Sequence, residues 1–121
     1  MGITAKSRQI IWNQAGGCCS ICKNRLVKEL DDASGPDLFG EVAHIVAEKK
    51  DGPRGDKPVP GGNRNGHANL MLLCQEHHTL IDNNEAQYPV EKLLQIKTDH
   101  NAWAENALSN LKYTGLEKPT E

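Results

Sequence analysis

A small α+β domain is the fold that the sequence predicts, and three observations predict it. Side chains alternate between two faces along Phe39 to Val46, and Leu70 to Leu73 is a continuous apolar run, so two strands are expected. Helical spacing of apolar residues recurs near the N-terminus, from about Gln75 to Asp82, and from Val90 to Leu111. Cys19-x-x-Cys22 and Cys74-x-x-His77 have the spacing of two halves of one metal site. The chain has 121 residues, which suits one domain. Only 37% of it is hydrophobic and 4% aromatic, so the core is modest and a structural metal is the usual remedy.

The elements follow in order. Thr4 is positioned to cap a short helix that buries Ile10, Ile11 and Trp12, and Gly16-Gly17 ends it. Cys19 to Cys22 is a tight turn, and Lys23 to Val27 leads out of it. Asp31 to Pro36 reads as a polar loop. In the strand Phe39 to Val46, residues Val42, His44 and Val46 share one face and Glu41, Ala43 and Ile45 the other. Asp51 to Gly66 is a long segment rich in Gly, Pro and Asn, a length that inside a small domain is usually functional or mobile. The second strand, the Gln75–Asp82 helix and a C-terminal helix over about 90–112 follow. Leu93, Leu94, Ile96, Trp103, Ala107, Leu108 and Leu111 mark the buried side of that last helix. Residues 114–121 read as a frayed tail. His67 and His100 are expected at the surface.

Zinc prefers four tetrahedral nitrogen and sulfur ligands, and a two-residue gap lets one turn offer two of them. Cys19, Cys22, Cys74 and His77 supply such a set and would clamp the N-terminal turn onto the start of the later helix. Closing a long loop in this way is where a metal clip helps most. Cys18 is read as a bystander. His78 is an alternative to His77 as the fourth ligand.

A second group of residues carries different chemistry. His44 sits in an apolar strand, where a purely structural histidine needs a hydrogen-bonding reason. Asn69 stands just before the second strand, where its amide can pin the loop that carries His44. His78 and Asp82 are four apart, so a helix projects both from one face as a two-pronged grip on a cation. Phosphodiester cleavage needs these parts: a histidine to activate water and a divalent cation to stabilise phosphate charge and the leaving oxygen.

With these residues the chain resembles the HNH endonucleases of the ββα-metal fold, in the subgroup that carries a four-ligand zinc site. The similar span runs from about residue 12 to residue 100. Closer still, Glu41-Val-Ala-His-Ile-Val-Ala-Glu, Asp51-Gly-Pro-Arg-Gly-Asp, Asn69-Leu-Met-Leu-Leu-Cys and His77-His-Thr-Leu-Ile-Asp look like the HNH domain of anti-phage CBASS effectors. In those effectors the nuclease is fused to a SAVED domain that senses a cyclic oligonucleotide. The resemblance implies His44 as the general base, Asn69 as the residue that orients it, and His78 and Asp82 as ligands of a catalytic Mg²⁺ or another divalent cation. It implies Cys19, Cys22, Cys74 and His77 as ligands of a structural Zn²⁺. In one respect the chain departs from the family. Many HNH enzymes place an Asp or His, a metal ligand, before the base, and here that residue is Ala43; Glu41 and Glu48 are the candidate replacements, with Glu41 on the opposite strand face from His44.

Arg54 is a candidate phosphate contact, or else a loop arginine paired with Asp51 or Asp56. Net charge is −2, but residues 1–28 hold five basic residues and no acid, while 29–75 hold five basic against eight acidic and 76–121 four against eight. The basic end is suited to phosphates or is an ordinary solvated face. No apolar run approaches membrane-spanning length, and Met1 to Arg8 lacks the apolar stretch of a secretory signal, so the expected compartment is the cytoplasm. The expectation is therefore a single HNH domain over 1–121 that cuts DNA with little sequence preference. Its partners would be DNA, a SAVED-like sensing domain outside this chain, and a second copy in a homodimer. The other class of reading is a zinc-stabilised module that binds nucleic acid or protein without catalysis.

Overall fold

The computed structural model describes residues 2–29 and 36–114. Helix α1 spans Ala5–Gln14 and is capped by Thr4, whose Oγ1 accepts the Ser7 N–H at 3.0 Å. Ile11 is its buried residue, with Trp12 half-buried behind it. Gly16, at φ 66, takes the left-handed conformation that ends the helix. The turn Cys19–Cys22 follows. Lys23 donates its N–H to the Cys19 carbonyl, and Ser20 donates to the Leu72 carbonyl, which fastens the turn to the second strand of the core.

Two hairpins come next. Strands β1 (Val27–Glu29) and β2 (Pro36–Leu38) pair antiparallel. This hairpin is a correction to the sequence reading, which placed Pro36 in a loop and ended its account of the knuckle at Val27. Three-residue strands show too few alternations to register as a pattern. Residues Asp31 to Gly35 of the expected loop lie outside the described residues. Strands β3 (Gly40–His44) and β4 (Leu70–Cys74) form the central hairpin, with Glu41 opposite Leu73 and His44 opposite Leu70. All four residues from Leu70 to Leu73 are buried. Successive strand side chains point to opposite faces, so both faces of β4 are covered. Helix α1 and helix α2 (Gln75–Asp82) both pack on this hairpin, and Ile11, Leu26, Ile45, Ile81 and Leu93 complete the core.

Helix α3 runs from Val90 to Thr114. Its buried side differs from the expected one: Leu93, His100 and Ala104 are inside, while Trp103 and Leu108 are exposed. The expectation of a surface His100 is thereby corrected. His100 is 0% exposed; its Nε2 donates to the Ala15 carbonyl at 3.0 Å and its Nδ1 lies 3.3 Å from the Lys23 ammonium. A histidine with its polar atoms satisfied is compatible with a core. His67 is exposed as expected. No helix among the described residues is long and apolar enough to cross a membrane. Residues 115–121 of the expected tail lie outside the described residues, and Thr114 still belongs to α3.

The segment 51–66 is folded onto the domain, and Arg54 is the reason. Arg54 is 3% exposed, which corrects its reading as a phosphate contact or a partner of Asp51 or Asp56. Its Nε donates to the Ile45 carbonyl at 2.7 Å, Nη1 to the Ile81 carbonyl at 2.9 Å and Nη2 to Asp82 Oδ1 at 2.8 Å. One guanidinium thus joins the residue after His44 to the end of α2. A planar fork with five donors is suited to three divergent acceptors, and a lysine is not. Gly55 permits the approach, since a Cβ there would lie 2.5 Å from the Lys49 and Lys50 carbonyl oxygens.

Arg54→Ala is expected to cost about 3 kcal/mol of stability. That is the low end for breaking a buried pair, because the Asp82 side chain keeps 32% of its surface in water. Arg54→Lys should lose less than Ala but still a measurable part. Chemical denaturation of zinc-loaded protein checks this, and an unchanged midpoint for Arg54→Ala would show the strut to be dispensable.

Candidate metal centre and nuclease site

Cys74 ends β4 and is the N-cap residue of helix α2, where the chain turns from strand into helix. One helical turn on, His77 brings its Nδ1 to 3.1 Å from Cys74 Sγ and 3.8 Å from Cys19 Sγ. The ligand atoms of Cys19, Cys22, Cys74 and His77 all lie within 4.8 Å of one another. Four donors on a tetrahedron around zinc, with Zn–S of about 2.3 Å, stand roughly 3.8 Å apart, so the set fits that ion. Cys18 lies outside the cluster, with its Sγ 3.6 Å from the Gly16 carbonyl.

The electrostatics of the cluster point the same way. Burial opposes ionisation of Cys19, but N–H groups of Cys22, Cys74 and Ile21 aimed at its sulfur hold its thiol below the ordinary value. Burial and the neighbouring Cys19 and Cys22 push Cys74 up to about 11. Several thiolates at this spacing repel one another until a divalent cation neutralises them.

His78, the next residue, turns away from the cysteines. Its Nδ1 is 2.7 Å from Glu41 Oε1 and its Nε2 is 3.3 Å from Asp82 Oδ2. The Asp82 hydrogen bond raises His78 above its ordinary pKa; burial opposes this, and Glu41 reinforces it. Burial works against ionised Asp82, but His78 and Arg54 together hold its carboxyl below the usual range. Glu41 is a residue that the sequence reading set aside, because it lies on the strand face opposite His44. That same alternation puts Glu41 on the face of Ala43, one pleat repeat earlier. The carboxylate missing at Ala43 therefore has a neighbour on the same side of β3, within reach of α2.

His44 is half-buried at the end of β3, and its Nε2 lies 2.7 Å from Asn65 Oδ1. Asn69 is fully buried, and its side-chain hydrogen bonds go to backbone groups and not to the His44 ring. Its Oδ1 accepts the Val46 N–H at 2.8 Å, and its Nδ2 donates to the Val46 and Arg64 carbonyls at 2.8 Å each. Asn69 thus pins the backbone two residues beyond His44. Arg64 extends the same fastening by donating to the Ala47 and Gly55 carbonyls. From α3, Lys97 donates to the His67 and Leu70 carbonyls on either side of Asn69. Burial pushes the Lys97 ammonium down to about 8.

Sequence reasoning weighed Glu41 and set it aside, and it missed Asn65, Arg64 and Lys97. Only Glu41 carried a usable signal, through its shared strand face with Ala43. A cavity of about 750 Å³ lined by Arg54, Lys57, Val59, Pro89 and Leu94 has neither His44 nor His78 in its lining.

The sequence profile of one protein family, described as HNH endonuclease, matches residues 19–85, more than half of the chain. The matched span starts at the first cluster cysteine and includes His44, Asn69, His77, His78 and Asp82. No curated protein matches the chain.

Proposed function

The chain belongs to the HNH endonuclease family, and from that premise we propose that it is a metal-dependent DNA endonuclease with little sequence preference. Family membership carries nuclease activity in general. The observation that supports the finer reading is the trio Glu41, His78 and Asp82. His78 and Asp82 share helix α2 with the cluster's His77 and Glu41 reaches them from β3, yet a four-ligand zinc site has no need of the trio.

His78 Nε2 and Asp82 Oδ2, 3.3 Å apart, have the spacing of two donors on adjacent positions of one cation. Glu41 would accept the Nδ1–H of His78 and leave Nε2 free to bind, the usual role of a carboxylate behind a metal-binding histidine. A bound Mg²⁺ or similar cation supplies charge stabilisation for the phosphate and the leaving oxygen. His44 takes the proton of the attacking water as general base. Asn69 holds the backbone that carries His44. Contacts to the sugar-phosphate backbone position the substrate without specifying sequence.

Such an enzyme needs restraint in its own cell. The proposed setting is anti-phage defence in the manner of the CBASS effectors, in the cytoplasm, with residues 1–121 as one nuclease domain. A SAVED-like sensing domain or protein would gate it, directly or through dimerisation.

A second reading, a zinc-stabilised binding module without catalysis, is favoured by Ala43 and by the hold of Arg54 on Asp82 Oδ1. Among the described residues, only the Cys19–Cys22–Cys74–His77 group forms a compact set of three or more metal donors. Nicking of supercoiled plasmid separates the two. Protein with about one zinc per chain, dialysed free of other cations, should nick only after Mg²⁺ or Mn²⁺ is added. Folded, zinc-loaded protein that cuts no DNA with either cation, as monomer or as enforced dimer, would establish the binding module.

A further inference from the structure

We propose that Asn65, not Asn69, orients the His44 ring and selects its tautomer; this rests on reading His44 as the general base. Asn65 stands between two partners. Its Oδ1 is 2.7 Å from His44 Nε2, and its Nδ2 donates to Glu48 Oε2 at 3.3 Å. A carboxylate only accepts hydrogen bonds, so the amide atom that faces Glu48 is the NH₂ group. The atom that faces His44 is then the carbonyl oxygen, which also only accepts. His44 must therefore donate from Nε2, and the neutral ring carries its lone pair on Nδ1.

Among the described residues Nδ1 has no hydrogen-bond partner, so it is the nitrogen left to take a proton from water. The chain from Glu48 through Asn65 to His44 performs the service that a buried aspartate performs behind the histidine of a hydrolytic triad, but with a neutral link.

The loop that carries Asn65 is built to hold this position. The Asn65 N–H donates to Asn63 Oδ1 at 3.0 Å. The neighbouring Arg64 is tied to Ala47 and Gly55 through its side chain and to Asn69 through its carbonyl. The two asparagines divide the work: Asn69 saturates backbone groups inside the fold, and Asn65 meets the ring.

The test uses the zinc-loaded full chain. Nitrogen chemical shifts of the His44 ring should report the Nε2–H tautomer in the parent protein and lose that preference in Asn65→Ala. With Mg²⁺ and plasmid, Asn65→Ala should lower kcat by about 10²-fold, the scale of a misplaced catalytic group, while KM changes little. Asn65→Asp places a charge on Nε2–H, so the acid limb of the rate profile should move to higher pH, which a purely structural role would not produce. Glu48 is the charged group that faces this pair, and Glu48→Gln frees the amide to flip and should weaken the tautomer preference. An Nδ1–H tautomer in the parent, or Asn65→Ala with unchanged tautomer and kcat, would overturn the proposal. If the parent cuts no DNA while its tautomer depends on Asn65, the orienting role stands and the nuclease reading falls.

Discussion

Replacing His44 by alanine is expected to lower metal-dependent plasmid cleavage by about 10²–10⁴-fold, the usual contribution of a positioned general base. The fold should tolerate the change. His44 is half-buried at the end of β3, and among the described residues its ring makes one hydrogen bond, to a loop side chain. The backbone beyond it is held independently by Arg54 at Ile45 and by Asn69 at Val46. Zinc content and thermal midpoint should therefore match the parent while cutting falls. His44→Gln, which keeps a polar side chain but offers no base near neutral pH, should be as inactive as alanine. A variant that retains more than about a tenth of the parent rate would remove His44 from the mechanism.

The second large effect concerns the cysteine cluster. Stripping the metal with a strong chelator is expected to unfold the domain, as is Cys74→Ser. Structural zinc contributes on the order of 10–16 kcal/mol to folding in small zinc domains, against a total stability of about 5–15 kcal/mol for a typical domain. The cluster joins positions 19–22 to positions 74–77 across the central hairpin, and the apolar core that would have to hold them without it is small. Loss of far-ultraviolet dichroism on chelation, restored by one equivalent of zinc, is the expected result. A chelated protein that keeps its melting transition would show that the core suffices alone. Since either functional reading requires this fold, zinc removal tests the architecture and His44 tests the chemistry.

The family match and the cluster geometry agree with the predicted α+β fold and with a zinc-type site of three cysteines and a histidine. Those features were legible because they are written at short range. Alternation over eight residues, a four-residue apolar run and a two-residue gap between ligands are local patterns with local physical causes. Helix α2 was placed from Gln75 to Asp82 by such a pattern, and its observed bounds are the same. The weaker readings share one trait. His100 looked like a surface residue because nothing nearby in sequence needs it, yet its partners are Ala15 and Lys23. Arg54 looked mobile between glycines, yet its acceptors lie at positions 45, 81 and 82.

The sequence alone determined the α-helices, the central hairpin and the three cysteines and histidine of the metal cluster, and it is the source of the proposal that His44, His78 and Asp82 act chemically. The tertiary structure decided what each of them meets. Glu41 comes to His78 across 37 positions, Asn65 to His44 across 21 and Arg54 to Asp82 across 28. Periodicity constrains neighbours within a turn or a pleat, whereas a hydrogen bond between distant segments depends on how whole elements pack. The burial that excludes water from Arg54 and Asn69 is a property of that packing, and it makes their specific partners obligatory.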